Sequence, residues 1–357
     1  MTELAPFRLD PVLVERPWGG TRLTAYGKTL PEGVDIGESW ELCDLPQAVV
    51  PHVDDPSSGV LDGPYAGAKL RTVVAERTED LLGPVAPTKE GRFPLLFKLL
   101  DAREHLSVQV HPHEAYVAEH PEARLKTESW YIVDADPGAV AYIDVTASTT
   151  IEDVGEVMGT PGIVPLLGVR PAVPGAFHHV PAGLIHALGA GAFVAEVQTP
   201  SDTTYRIYDW AVEYGRAPRQ LHAEESMGSI IVHPEAAFSL DTTDAQGVRE
   251  LVTTDYYWMR EHRVDQGSGT LADAPGPNIV CVTRGSIRLG DLELSKGTTA
   301  IVPASSSVAT FEGDRAVVME MGVEVSSEPK TSARIPSAKS ISSAVVTSGG
   351  MTRTTLP

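Results

Sequence analysis

The amino-acid sequence predicts a mainly β protein built from two small barrels with helices attached. Three observations carry that expectation. The 357 residues include 32 Gly and 28 Pro, and between them lie short runs rich in Val, Ile, Leu and aromatics. Apolar runs of that length, ended by turn residues, read as β-strands, and their density is that of a sandwich or barrel. One turn-and-strand spacing also occurs twice, once in each half of the chain.

The elements follow in order. Strands are expected at 93–100, 107–111, 130–133, 139–145, 177–180 and 193–198, then at 279–283, 286–289, 299–302 and 316–321. Helices are expected at 66–82, from the spacing of Leu70, Val73, Val74 and Leu81; at 112–122, opened by Pro112 in its first turn; at 149–158, with Thr149 or Thr150 near the cap; and at 221–227. After about residue 235 strand follows strand with almost no helical signal. Residues 326–357 hold 8 Ser and 5 Thr, with four basic residues against one acidic, and read as a flexible tail or a strand-like wrap. The expected division is 1–235, 236–325 and 326–357.

The repeated spacing is Gly175-x5-Pro181-x-Gly183-x2-His186. A glycine turn feeds a strand, a Pro-x-Gly bend reverses it, and the next strand delivers one imidazole inward. The opening recurs at Gly297-x5-Pro303, where Ser305 and Val308 occupy the positions of Gly183 and His186. This spacing resembles the second motif of the cupin superfamily, a jelly-roll-like barrel. The expected fold is therefore two cupin barrels, the first with a histidine and the second without, hence degenerate.

Upstream, Ser107, Gln109 and His111 alternate along one run, so a strand would point all three to one face. Glu128 follows seventeen residues after His111. With His186 these give a candidate ligand set of Gln109, His111, Glu128 and His186. Two imidazoles, a carboxylate and an amide oxygen suit one divalent metal, Zn²⁺ first, with Mn²⁺, Fe²⁺ and Co²⁺ also compatible, and leave a coordination position open. His113, His178 and His179 fit the inward parity less well; His113 and His179 read as surface residues or as supports behind the ligands.

Charge and cysteine count bound the rest. The net charge is −20, and without the basic tail residues 1–325 carry −23. Such a body disfavours nucleic acid and anionic membrane as partners. Cys43 and Cys281 cannot form a disulfide framework or a cysteine-rich zinc site and read as free thiols in a reducing compartment. The N-terminus lacks the basic and apolar regions of a signal peptide, and no apolar run approaches about 18 residues. A cytoplasmic protein is expected; its oligomeric state is left open.

The segments RPWGGTRL (16–23), GESWEL (37–42), FPLLFKLLDAREHLSVQVHP (93–112), KTESWYI (126–132), VPAGLIHAL (180–188) and EVQTPSDTTYRIYDW (196–210) resemble the type I mannose-6-phosphate isomerases, in their short bacterial form. The likeness spans about 1–215. It implies a metal-dependent aldose–ketose isomerase acting on a phosphosugar, with His111, Glu128, His186 and Gln109 as ligands and Arg206 as the active-site arginine. Other family pocket positions fall on Trp18, Glu41, Lys98, Ser107, Lys126, Glu196 and Asp202. The long forms carry an aromatic two residues after the ligand histidine, where this chain has Leu188.

The implied reaction interconverts mannose 6-phosphate and fructose 6-phosphate by ring opening and proton transfer between C2 and C1 through a cis-enediol. The metal and Arg206 would stabilise developing negative charge, with Lys126 adding charge beside Glu128. Glu196 is the preferred proton carrier, a metal-bound water or a histidine being the alternatives. Ser107, Lys98, Lys126 and Arg206 are the candidate phosphate donors. Lys98 after PLLF also reads as a core-rim lysine, and Trp18 as a core aromatic ahead of a sugar-stacking one. Two rival functions are another metallo-cupin enzyme, dioxygenase-like, and a non-catalytic sugar-binding bicupin. The first would not need Lys126 and Arg206 near the metal, and the second would not need the complete ligand set.

Overall fold

In the computed structural model, which describes residues 3–234, 237–240 and 245–325, the chain forms three antiparallel sheets stacked in layers. The Ser/Thr-rich tail lies outside the described residues. The middle sheet runs Ala237–Leu240, Ala176–Val180, Glu128–Ala135, Ala192–Gln198, Leu96–Asp101, Ile36–Leu42, Val12–Gly20. Neighbouring residues of a strand face opposite sides, and this sheet is covered on both. Phe97, Leu99, Tyr131, Phe193 and Val197 pack against Leu251, Met259, Ile279 and Met319 of the C-terminal strands. The alternate residues Leu100, Trp130, Ile132 and Val194 pack against Ala141, Ile143, Leu184 and Leu188 on the other side.

The second layer is the eight-stranded C-terminal sheet: Gly247–Thr253, Tyr257–Thr270, Thr310–Val323, Asn278–Leu289, Thr299–Val302, Phe7–Asp10 and Gly59–Val60, with Leu292–Ser295 paired to Asn278–Leu289. Two N-terminal strands thus complete the sheet of the C-terminal half, Phe7 lying opposite Ile301. The far face of this sheet has its own apolar cluster, including Val280, Val282, Leu289, Phe311 and Val318, against which Val308 packs. The position expected to correspond to a ligand histidine is filled by a half-buried aliphatic side chain packed on that cluster.

The third sheet runs Tyr205–Tyr208, Val108–Val110, His186–Leu188, Val140–Val145, Leu167–Pro171. Its outer face is covered through Tyr116, Val154 and Ile163 by the helix Glu114–Glu119, the helix Ile151–Val157 and the 3-10 segment Pro161–Leu166. The expected helix at 149–158 is there, and Thr150 and Asp153 cap it reciprocally. The expected helix at 66–82 is two short ones, Leu70–Glu76 and Thr78–Leu82, parted at Arg77; that at 221–227 is Ala223–Ser229. Among the described residues no helix is long and apolar enough to cross a membrane. Cys43 and Cys281 are free and buried.

Candidate metal centre and active-site cavity

Two rows of side chains face each other between the five- and seven-stranded sheets. Cross-strand partners present their side chains to the same face. On the five-stranded sheet Ile143, His186, Gln109 and Arg206 are successive partners. On the seven-stranded sheet Trp130, Glu196 and Lys98 are. Between them lies a cavity of about 350 Å³ whose walls include Gln109, Arg206, Lys98, Trp130 and Glu196.

Of the metal-ligand candidates Gln109 lines this cavity, and His111, Glu128 and His186 are buried next to it, behind Gln109 and Lys126. The bend at Gly183 adopts a left-handed conformation, φ 87°, and its N–H donates to the His111 carbonyl at 2.9 Å. That bond ties the turn before His186 to the end of the strand carrying His111. The Glu128 carboxylate, first residue of its strand, lies 3.3 Å from Nε2 of both His111 and His186. The ligand atoms of these three residues all fall within 4.8 Å of one another, and none of the three is more than 1% exposed.

The donor set fits a divalent metal. His186 donates Nδ1–H to the Leu184 carbonyl at 2.8 Å, which leaves the Nε2 lone pair for the site. Neither ring nitrogen of His111 makes a hydrogen bond, which costs free energy unless something else satisfies them, and the Glu128 oxygens meet only the Lys126 ammonium and the two imidazoles. Burial, and then the Lys126 ammonium, push His111 down to about 3; burial also lowers His186. Both imidazoles are therefore neutral and available as ligands. Burial works to raise Glu128, but Lys126, 3.0 Å away, and the imidazoles hold it well below the usual carboxylate range. Gln109 stands beside the three with its amide nitrogen 3.1 Å from His186 Nε2 and its oxygen 3.3 Å from Ser107 Oγ. Ligation through the oxygen calls for the amide turned by half a rotation, a choice that hydrogen bonding decides.

A second buried cluster adjoins the first. Lys98 Nζ lies 3.4 Å from both Glu38 and Glu196, and Trp130 donates its indole N–H to Glu196 at 2.9 Å. Burial, then the charge of Glu128, raise Glu196 to about 7 despite Lys98 and Lys126. Glu38 goes the other way: burial opposes its charge, but Arg16 and Lys98 hold it ionised. Two carboxylates a few ångströms from one ammonium are thereby pushed apart in basicity, the pattern expected where one must trade a proton near neutrality.

Most sequence-predicted pocket residues line the cavity: Trp18, Lys98, Ser107, Lys126, Glu196, Asp202 and Arg206. Trp18 does so as a core residue, packed with Leu100, Leu106 and Trp130. Its ring crosses Gly37, where a Cβ would stand 2.6 Å from Cζ3. Glu41 is not on the wall. It is buried against the C-terminal sheet, bound to Lys28 at 2.7 Å and accepting from Thr299 at 3.0 Å. Glu38, three residues earlier and so on the opposite face of the strand, takes the cavity position. Glu196 pairs with Lys98 and not with Arg206. His179 is buried rather than superficial, its Nδ1 3.0 Å from Ser129 Oγ behind the ligand strand, and His113 caps the helix Glu114–Glu119.

Sequence reasoning missed Arg16, Glu38, His52 and Arg219, all on the cavity wall. Arg16 and Glu38 lie in the segments 16–23 and 37–42; strand parity separates Glu38 from Glu41, and the pairing of residues 36–42 with Leu96–Asp101 decides which of them meets the cavity. Nothing local marks His52 or Arg219.

A family model described as phosphomannose isomerase type I, catalytic domain, matches residues 6–146. The chain is 32% identical over 322 residues to the mannose-6-phosphate isomerase of Streptococcus mutans, covering 88% of this chain and 97% of that protein. The mannose-6-phosphate isomerase ManA of Bacillus subtilis is 37% identical over 254 residues, 70% of this chain and 75% of its own. The crystal structure of the mannose 6-phosphate isomerase from Bacillus subtilis matches with a TM-score of 0.75 at 30% identity, covering 89% of this chain and 100% of that one. With a cupin fold, a buried two-histidine, one-carboxylate cluster and a cationic cavity above it, the chain belongs to the type I mannose-6-phosphate isomerase family of enzymes.

Proposed function

We propose that this isomerase interconverts mannose 6-phosphate and fructose 6-phosphate through a cis-enediol and depends on one divalent metal, zinc first, held by His111, Glu128, His186 and Gln109. The observation that carries the reading is the convergence of the buried ligand atoms of His111, Glu128 and His186 beside the cavity-lining Gln109 and Lys126. When bound there, a divalent ion supplies Lewis-acid polarisation of the sugar oxygens. Glu196 takes the proton from one carbon and returns it to the next; its raised basicity suits exchange near neutral pH. Lys98 and the Trp130 N–H hold that carboxylate in place. Lys126 and Arg206 bring positive charge to the developing oxyanion, while Trp18, Ser107 and Asp202 contact and orient the open-chain sugar.

In this reading 1–235, which holds the clustered residues His111, Glu128 and His186, is the catalytic part and 236–325 a degenerate barrel. The buried free thiols support a reducing, cytoplasmic setting. The test is a coupled assay for fructose 6-phosphate with metal analysis of the same sample. About one divalent ion per chain and turnover of mannose 6-phosphate are expected, and His186→Ala loses both. Metal-replete protein without turnover would refute the isomerase reading.

A further inference from the structure

Ser129 follows Glu128 on its strand, so its side chain leaves the opposite face, toward the C-terminal sheet. Its Oγ lies 3.0 Å from Nδ1 of His179, its cross-strand partner, and 2.9 Å from the phenol oxygen of Tyr257. All three residues are buried, and none lines the cavity. Burial, against the pull of the Glu128 main-chain carbonyl, pushes His179 down to about 4, and burial raises Tyr257 above the usual phenol range. The imidazole is therefore neutral and the phenol protonated. A chain in which Tyr257 donates to Ser129 and Ser129 donates to Nδ1 satisfies all three groups. Packing alone asks for no hydroxyl here, since phenylalanine has the same ring, and a buried hydroxyl costs free energy unless it is bonded. Tyr257 comes from the other half of the chain, and its turn is held at several points. The Thr254 hydroxyl accepts from the Tyr257 N–H at 3.0 Å and donates to its carbonyl at 2.9 Å. The neighbouring Tyr256 donates its phenol O–H to Glu114, in the helix that follows His111, and its carbonyl accepts from the Glu324 N–H at 3.0 Å. One turn of the C-terminal half thus touches the segments that carry His111 and Glu128.

We propose that the C-terminal half positions the metal centre of the N-terminal half: Tyr257, through Ser129 and His179, fixes the main chain at Glu128 so that its carboxylate meets the two imidazoles. This rests on the metal reading above. It gives the sheet without a ligand set a part in the chemistry of the sheets that carry one. Tyr257 is a positioning residue in this scheme, acting through Ser129 from behind the ligand strand. Groups behind the ligands set how well the ligands are aimed, and so how tightly the metal is held.

The test measures the dissociation constant of Zn²⁺ on metal-stripped full-length protein, by competition with a chelating dye, beside the unfolding midpoint of each metal-free sample. Tyr257→Phe removes one oxygen and should weaken zinc binding about 10- to 100-fold. Ser129→Ala breaks the same chain from the other side and should do likewise, which keeps the test alive if the first variant fails to fold. The double variant should lose less than the product of the two single losses, because both remove one shared bond. Thr283→Val is the comparison: it deletes a buried hydroxyl of the same sheet, bonded to the Val317 carbonyl at 3.1 Å. It should lower the unfolding midpoint and leave the zinc constant unchanged, as any merely structural loss would. An unchanged zinc constant in Tyr257→Phe, an equal loss in Thr283→Val, or single losses that multiply in full would each overturn the assignment while leaving the metal reading intact. Wild-type protein that binds no divalent ion would refute the metal reading and this one with it.

Discussion

Replacing Glu196 by Gln should stabilise the protein at alkaline pH while removing its activity. Glu196 is buried and its pKa rises from an ordinary 4.5 to about 7. At about 1.4 kcal/mol per pKa unit, the folded state disfavours the charged form by about 3 kcal/mol. The sign follows from proton counts. Between the unfolded and folded values the native carboxyl binds more proton than the unfolded one, so stability falls as pH rises through that window. Glutamine imitates the protonated form at every pH and accepts the Trp130 N–H in the same place. Calorimetric unfolding of metal-free wild type and Glu196→Gln should therefore give equal midpoints near pH 4, and near pH 8 a variant more stable by about 3 kcal/mol, a shift of several degrees. In metal-loaded samples kcat should drop by about 10²- to 10⁴-fold, the worth of a positioned proton carrier. Equal stability of the two proteins near pH 8 would refute the reasoning, because Glu196 would then carry no burial cost. Retained kcat would remove it from the reaction.

Three other outcomes are expected. Lys98→Met leaves Glu38 and Glu196 buried without their shared cation, so it should cost about 3–5 kcal/mol by denaturant titration and move the acid limb of the rate profile to higher pH; an unmoved limb separates Lys98 from Glu196. Gly37→Ala puts a methyl into the Trp18 ring and Arg16 Cβ, both 2.6 Å away, so KM should rise and stability fall by about 1–3 kcal/mol; a variant of wild-type KM and stability would show that the strands part at no cost. His178 is buried, its Nε2 lacks a partner, and burial pushes it down to about 4. The unfolded chain takes up that proton first, so stability is present above about pH 6.5 and is lost as pH falls toward 4. His178→Gln should flatten this part of the stability profile, and an unchanged acid slope would count against it.

The sequence by itself determined the β-rich class, the punctuation of strands by Gly and Pro, and most of the metal cluster. The reason is local. Side-chain parity is a property of a single strand, so Gln109 and His111 could be read as sharing a face, and the Gly-x5-Pro-x-Gly bend announced an inward His186 before any partner was known. The same rule puts Glu38 and Glu41 on opposite faces of residues 36–42, but it does not say which face meets the cavity. What only the tertiary structure decided was which charges meet. Whether Lys98 serves a phosphate or two carboxylates depends on which strands lie beside Leu96–Asp101, and those come from residues 36–42 and 192–198. Whether Arg219 reaches the cavity wall depends on Asp209 holding it from behind. Register across a sheet is fixed by packing on both of its faces, and the N-terminal strand Phe7–Asp10 completing the sheet of the C-terminal half shows how far in sequence that packing reaches. Electrostatics follows from those distances: Glu196 and Glu38 stand on the same cavity wall, burial and then the charge of Glu128 raising the first, while Arg16 and Lys98 hold the second ionised against its burial.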